Sequence, residues 1–184
     1  MMPVTSTHRL RNFLGLSFAA LLVATVSCGG EKSASDTPAA GAPAGGAPAG
    51  ASATTAAAGE KMYQQRCMSC HQADGNGTPG VYPPLAGSEY ATSANAGVPI
   101  RIAIYGLQGP IEVKGAQFNS LMPAYGLGIV MSDSDVAAVL TYIRSSWGNK
   151  ASAVTANDVH EVREETEGHT GAMSAELLKP LMRN

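Results

Sequence analysis

Cys67-Met68-Ser69-Cys70-His71 constrains this chain more than any other stretch. Two thiols three positions apart, with an imidazole directly after the second, form the attachment signature of c-type haem. Each thiol adds to one of two adjacent vinyl groups on the porphyrin edge, and one turn of chain spans both. His71 is then held beneath the ring with a nitrogen aimed at the iron. Two other chemistries use paired cysteines. A structural zinc needs four protein ligands, but no second Cys pair follows, and His8, His160 and His169 form no compact pair. A thioredoxin-like dithiol calls for a strand–helix–strand pattern around the motif, and the flanking sequence has none.

At 184 residues the chain is one domain with appendages. Its net charge of −2 becomes more negative by two when residues 1–27 are removed, because they carry Arg9 and Arg11 and no acid. Ionised haem propionates add further negative charge, and such a surface does not suit nucleic acid. Aromatic side chains make up only 5% of the chain, which fits a domain whose largest apolar core element is the cofactor.

Residues 1–27 read as an export signal, with His8, Arg9 and Arg11 preceding an apolar run from Phe13 to Val26. That run is too short for a membrane-spanning helix. It ends in Thr25-Val26-Ser27-Cys28-Gly29-Gly30, which resembles a bacterial lipoprotein cleavage box with Cys28 as the lipidated residue. Thr25 departs from the leucine usual there. The alternative is ordinary signal cleavage leaving Cys28 a free thiol, a liability in an oxidising compartment. The expected location is the periplasmic side of a bacterial membrane, lipid-anchored. Residues 28–58, rich in Gly, Ala, Pro, Ser and Thr, read as a disordered linker. About thirty such residues reach roughly 30 Å, which suits either a leash for a redox domain or a plain spacer.

The folded part is expected over residues 59–149. Gly59, Tyr63 and Cys67 lie four apart on one helix face. Together with Cys70 and His71 they resemble the N-terminal helix of the class I cytochrome c family. The resemblance implies an all-α, cytochrome c-like fold of short helices and long loops around one covalently bound haem c. In that family the glycine lets a C-terminal helix cross closely, and an aromatic packs at the crossing. Pro83-x-Leu85-x-Gly87 resembles the family's element after the proximal histidine. The resemblance implies that the Pro83 carbonyl accepts the imidazole N–H and that Leu85 packs on the porphyrin. A proline-rich turn without that role is the alternative. Gly75 and Gly77 mark the tight loop between.

Val98–Tyr105 reads as a short helix with Pro99 near its start and Gly106 as its stop. Arg101 lies within it, either as a partner of a haem propionate or as a solvated arginine on the outer face. Ile111 and Val113 alternate with Glu112 and Lys114 in a loop or hairpin. Met122-Pro123, about fifty residues past the haem motif, resembles the family's distal ligand, a thioether that raises the reduction potential. Most methionines are core filler, but Met62 and Met68 lie too close to the motif, and Met131, Met173 and Met182 lie before a helix or in the tail. Ser132-x-x-Asp135 opens the last core helix. Val136, Val139, Leu140, Ile143 and Trp147 give its apolar stripe, Tyr142 is its family aromatic, and Gly148 is its stop.

Residues 150–184 form an extension with one or two short helices, one opening at Thr155-x-x-Asp158 and one over Ser174–Leu178. Glu161, Arg163, Glu164, Glu165 and Glu167 read as a solvated face. Combined with Gly106-Leu107-Gln108-Gly109-Pro110-Ile111 and the run from Tyr142 to Asn149, the tail resembles cytochrome subunits of bacterial respiratory complexes and quinoprotein dehydrogenases. With both axial positions filled, the implied function is one-electron transfer without catalysis. The implied partners are a quinol-oxidising complex, a terminal oxidase or a periplasmic dehydrogenase. A five-coordinate peroxidase or sensor follows instead if Met122 does not ligate, and a permanent structural subunit if the tail docks on a partner. Redox docking buries small interfaces, so no large exposed apolar patch is expected at the haem edge.

Overall fold

The computed structural model describes residues 49–183. The expected signal segment, Cys28 and the linker up to residue 48 lie outside the described residues. The order is α1 (Ala49–Arg66), α2 (Met68–His71), α3 (Gly97–Tyr105), β1 (Ile111–Val113), β2 (Ala116–Phe118), α4 (Asp133–Ser145), α5 (Ala156–Glu165) and α6 (Ala175–Leu178), with a closing 3₁₀ turn over Lys179–Arg183. The fold is mainly helical, with one antiparallel hairpin pairing Ile111 with Phe118. No described helix is long and apolar enough to cross a membrane.

Helix α1 begins ten residues before Gly59, inside the stretch expected to be disordered. Residues 49–58 are alanine-rich, and alanine is the strongest helix former. Once the part from Gly59 is helical, such residues extend it cheaply.

The crossing of α1 over α4 organises the core. A Cβ on Gly59 would overlap the carbonyl oxygen of Ala138, so only glycine permits this approach. One turn on, Tyr63 is buried with its ring centroid 5.5 Å from that of Tyr142 and 4.9 Å from that of Trp147. Ser132 caps α4, its hydroxyl accepting from the Asp135 amide at 3.2 Å. Val136, Val139, Leu140 and Ile143 then form the buried stripe. The helix ends at Ser145, two residues short of Trp147, which occupies a left-handed turn at φ +52°. Helical periodicity places Trp147 on the stripe. Its indole instead leaves the helix to pack over Gly75 and donates to the Ala73 carbonyl at 3.0 Å.

The C-terminal extension packs into this same body. A reciprocal capping box opens α5, with the Thr155 hydroxyl accepting from the Asp158 amide and the Asp158 carboxylate from the Thr155 amide. Val159 and Val162 are buried in the main cluster with Ile100, Val139 and Leu140. Met173 and Leu178 are buried in a second cluster with Val98, Leu107 and Ile111.

Candidate functional site

The site grows from α2, a single turn continuous with α1. The Cys67 amide donates to the Tyr63 carbonyl at 2.9 Å, and the His71 amide to the Cys67 carbonyl at 2.9 Å. The chain then doubles back through the two-glycine loop. The Gly77 amide donates to the His71 carbonyl at 3.0 Å, and the Leu85 and Ala86 amides both donate to the Gly75 carbonyl. Gly77 has φ +66°, and a Cβ there would run into the carbonyls of Tyr82 and Pro83.

That close return sets the imidazole. Nδ1 of His71 lies 2.9 Å from the Pro83 carbonyl oxygen, which can only accept, so Nδ1 carries the proton and Nε2 keeps its lone pair. Burial holds the His71 pKa below its ordinary value, opposed by this hydrogen bond. A neutral imidazole with one nitrogen already satisfied is the form a metal ligand requires. The Pro83–Gly87 element is fastened in turn by Asn149. Its amide donates to the carbonyls of Leu85 (3.1 Å) and Ile143 (2.7 Å) and accepts from the Gly87 amide (2.8 Å). The sequence carries no signal of this role, because an asparagine just past a helix stop reads as loop.

His71 and Cys67 open onto a cavity. Its walls are apolar: Leu85 from the return loop, Ile102 from α3, Ile111 and Val113 from β1, Leu140 and Ile143 from α4. An adjoining cavity shares Cys67, His71 and Met122 and adds Cys70 and Arg66. The Cys67 thiol is pushed up to about 12, first by burial and then by Cys70, against a smaller opposite effect of Arg66. An uncharged sulfur is therefore favoured there, and a thioether is one that no longer titrates. Among the described residues no group of three His, Cys, Asp or Glu side chains could hold a metal ion. Two thiols, one neutral imidazole and an apolar slot fit a covalently held porphyrin with an iron centre.

Met122 lines both cavities. Its backbone is clamped by a two-way bridge to Leu107, amide to carbonyl at 2.9 Å in each direction. Close behind it the Tyr125 amide donates to the Ala103 carbonyl at 2.6 Å. Arg101, offered by the sequence as a propionate partner or a solvated arginine, is not among the residues lining the two cavities. It lies in the groove between α3 and α5, donates to the Gly97 carbonyl at 3.1 Å and pairs with Glu165 at 2.6 Å. The acidic partner on α5, distant in sequence, decides where it points.

Two further results differ from expectation. Arg163 and Glu165 are drawn into tertiary ion pairs, so the charged cluster of α5 is not simply a solvated face. In the segment after Met122, Leu127, Ile129 and Val130 are 52%, 57% and 74% exposed, and Leu121 before it is 64% exposed. Large apolar side chains therefore do stand exposed in the segment that follows Met122. No charged residue occurs from Gly115 to Ser132.

Comparison with known proteins agrees with this geometry. The sequence model of the cytochrome c family matches residues 56–147. A cytochrome c-552 of Thermus thermophilus is 42% identical over 100 residues, covering 53% of this chain and 65% of that protein. The cytochrome c subunit of the quinone alcohol dehydrogenase of Gluconacetobacter polyoxogenes is 35% identical over 112 residues, 60% of this chain and 23% of the subunit. The cytochrome c subunit of gluconate 2-dehydrogenase of Pantoea cypripedii is 35% identical over 129 residues, 66% of this chain and 28% of the subunit. The chain thus spans just under two thirds of the Thermus protein and about a quarter of the dehydrogenase subunits. The group this chain holds is haem c, and the chain belongs to the cytochrome c family.

Proposed function

We propose that the protein is a one-electron carrier whose haem iron is ligated by His71 and Met122. The observation that carries this is the shared cavity: His71, with its Nδ1 proton engaged by Pro83, and Met122, with its backbone locked to Leu107, line the same apolar slot. The haem supplies a redox centre that takes up and releases one electron without making or breaking bonds. The chain's residues keep that centre dry and fixed. Pro83 orients the imidazole, Leu140 and Ile143 exclude water, and the Leu107 bridge keeps Met122 from swinging away. With His71 and Met122 both holding the iron, it would have no open position for oxygen or peroxide, and the protein would act as a carrier and not as an enzyme.

Cys28 is read as the lipid anchor, which sets the domain on the periplasmic side of a bacterial membrane, within reach of membrane-bound redox proteins. The support is the apolar run ending in Val26-Ser27-Cys28. Cytochrome subunits of dehydrogenases among the relatives support a periplasmic dehydrogenase as electron donor. A quinol-oxidising complex as donor and a terminal oxidase as acceptor complete the proposal. The exposed, uncharged segment around Leu127–Val130 supplies an apolar docking rim.

Mixing the reduced protein with carbon monoxide tests the coordination. No binding beyond a slow, minor phase is expected. Rapid and complete binding would show an open iron position and contradict the carrier reading.

A further inference from the structure

The segment between Met122 and α4 is held within itself by the Gly126 amide on the Pro123 carbonyl (3.1 Å) and the Gly128 amide on the Ala124 carbonyl (2.6 Å), and to α3 by the Tyr125 amide. Leu127, Ile129 and Val130 face outward, and Tyr125 sits at φ +55°, a left-handed conformation costly for a bulky residue. Further restraint comes from the C-terminal extension. Arg163 on α5 donates from Nη1 to the Tyr125 hydroxyl (2.9 Å), from Nη2 to the Met131 carbonyl (3.2 Å) and from Nε to the Asp133 carboxylate (2.6 Å). Tyr125 and Met131 both line the haem cavity, so one planar guanidinium grips both ends of the segment. A second grip lies behind Met122. Met173 exchanges backbone hydrogen bonds with Gly106 (3.1 Å) and Gln108 (2.9 Å), bracketing Leu107, whose own backbone is bridged to Met122. Both grips come from residues beyond the 56–147 stretch that matches the cytochrome c family.

We propose that the C-terminal extension is a clamp that keeps Met122 at the distal face of the haem, with Arg163 as its positioning residue. This rests on the reading of Met122 as a ligand. A chain lacking the clamp would release the thioether before it unfolds, exposing the iron to external ligands. The extension thereby suppresses ligand-binding chemistry that a haem protein would otherwise show.

The test uses the haem-loaded full chain as wild type, Arg163→Met, Arg163→Lys and Tyr125→Phe. Heating is followed by the thioether-to-iron(III) absorption band and by far-ultraviolet circular dichroism together, with carbon monoxide binding by the reduced protein as an independent readout. Arg163→Met is expected to lose the band well below the temperature at which the helices melt, and to bind carbon monoxide roughly tenfold faster, the change expected for loss of a charge-assisted hydrogen bond. Arg163→Lys should fall between, because one ammonium cannot span three acceptors. Tyr125→Phe removes a single acceptor and should move both readouts in the same direction by less. Band and helix signal lost together, with carbon monoxide rates within about twofold of wild type, would overturn the proposal. If Arg163→Met yields no folded haem protein, the same criterion applied to Arg163→Lys and Tyr125→Phe decides. Absence of the band from the wild type would overturn the ligand reading itself, and the clamp with it.

Discussion

Nδ1 of His71 and the carbonyl oxygen of Pro83 lie 2.9 Å apart, twelve residues along the chain from each other. The contact exists because the Gly77 amide folds onto the His71 carbonyl and the Leu85 and Ala86 amides fold onto Gly75. One backbone acceptor thus fixes which imidazole nitrogen is free. A carbonyl partner on the far nitrogen makes the histidine a stronger donor and stabilises the oxidised iron. Pro83→Ala, which lets this turn relax, should raise the reduction potential by roughly 20–40 mV, the one-electron equivalent of losing most of a neutral hydrogen bond. Potentiometric titration of the two proteins checks it.

Gly59 should tolerate no side chain. Since a Cβ would overlap the Ala138 carbonyl oxygen, Gly59→Val must push α1 off α4. A loss of about 2–3 kcal/mol in chemical denaturation is expected, at the upper end for overpacking.

Arg144 is 1% exposed and has no carboxylate partner among the described residues. It donates instead to the carbonyls of Ala91 (2.9 Å), Ser93 (3.0 Å) and Ser152 (2.7 Å), tying the loop before α3 and the start of the extension to the end of α4. Arg144→Met leaves those acceptors unmet and should cost at least about 3 kcal/mol. Arg144→Lys should restore little of it, because the fork geometry is lost. Denaturation of both variants separates a steric from a hydrogen-bonding role.

The charge-free rim predicts how the protein meets others. Electrostatic steering falls steeply with salt, and no charged residue occurs from Gly115 to Ser132. Electron self-exchange between oxidised and reduced copies, measured by NMR line broadening, should change by less than about threefold between low and physiological ionic strength. A change of about a hundredfold would place docking on a charged face elsewhere.

What can be read in the sequence is local or tied to a fixed spacing. Cys67, Cys70 and His71 fall within one turn, Gly59 and Tyr63 recur at helical intervals, and the hairpin at Ile111–Val113 follows from alternation. The crossing of Gly59 with Tyr142 is legible because the family resemblance joins two distant pieces. Arg101 and Arg163 are not, since each is placed by partners thirty or more residues away. A charged helix face looks the same in sequence whether it meets water or an acceptor. Trp147 misleads for a related reason: periodicity carries no information on where a helix stops when a left-handed residue precedes the glycine. The start of α1 at Ala49 escapes notice because a composition of Gly, Ala, Ser and Thr reads as linker, while its alanines turn helical once a nucleus adjoins them.

The central claim is that the Met122 thioether, together with the His71 imidazole, would hold the haem iron. Its most direct test is the absorption spectrum of the oxidised, haem-loaded protein beside that of Met122→Ala. The thioether band should be present in the wild type and absent from the variant, with haem content equal in both. A wild type without the band, or a variant that retains it, would contradict the account.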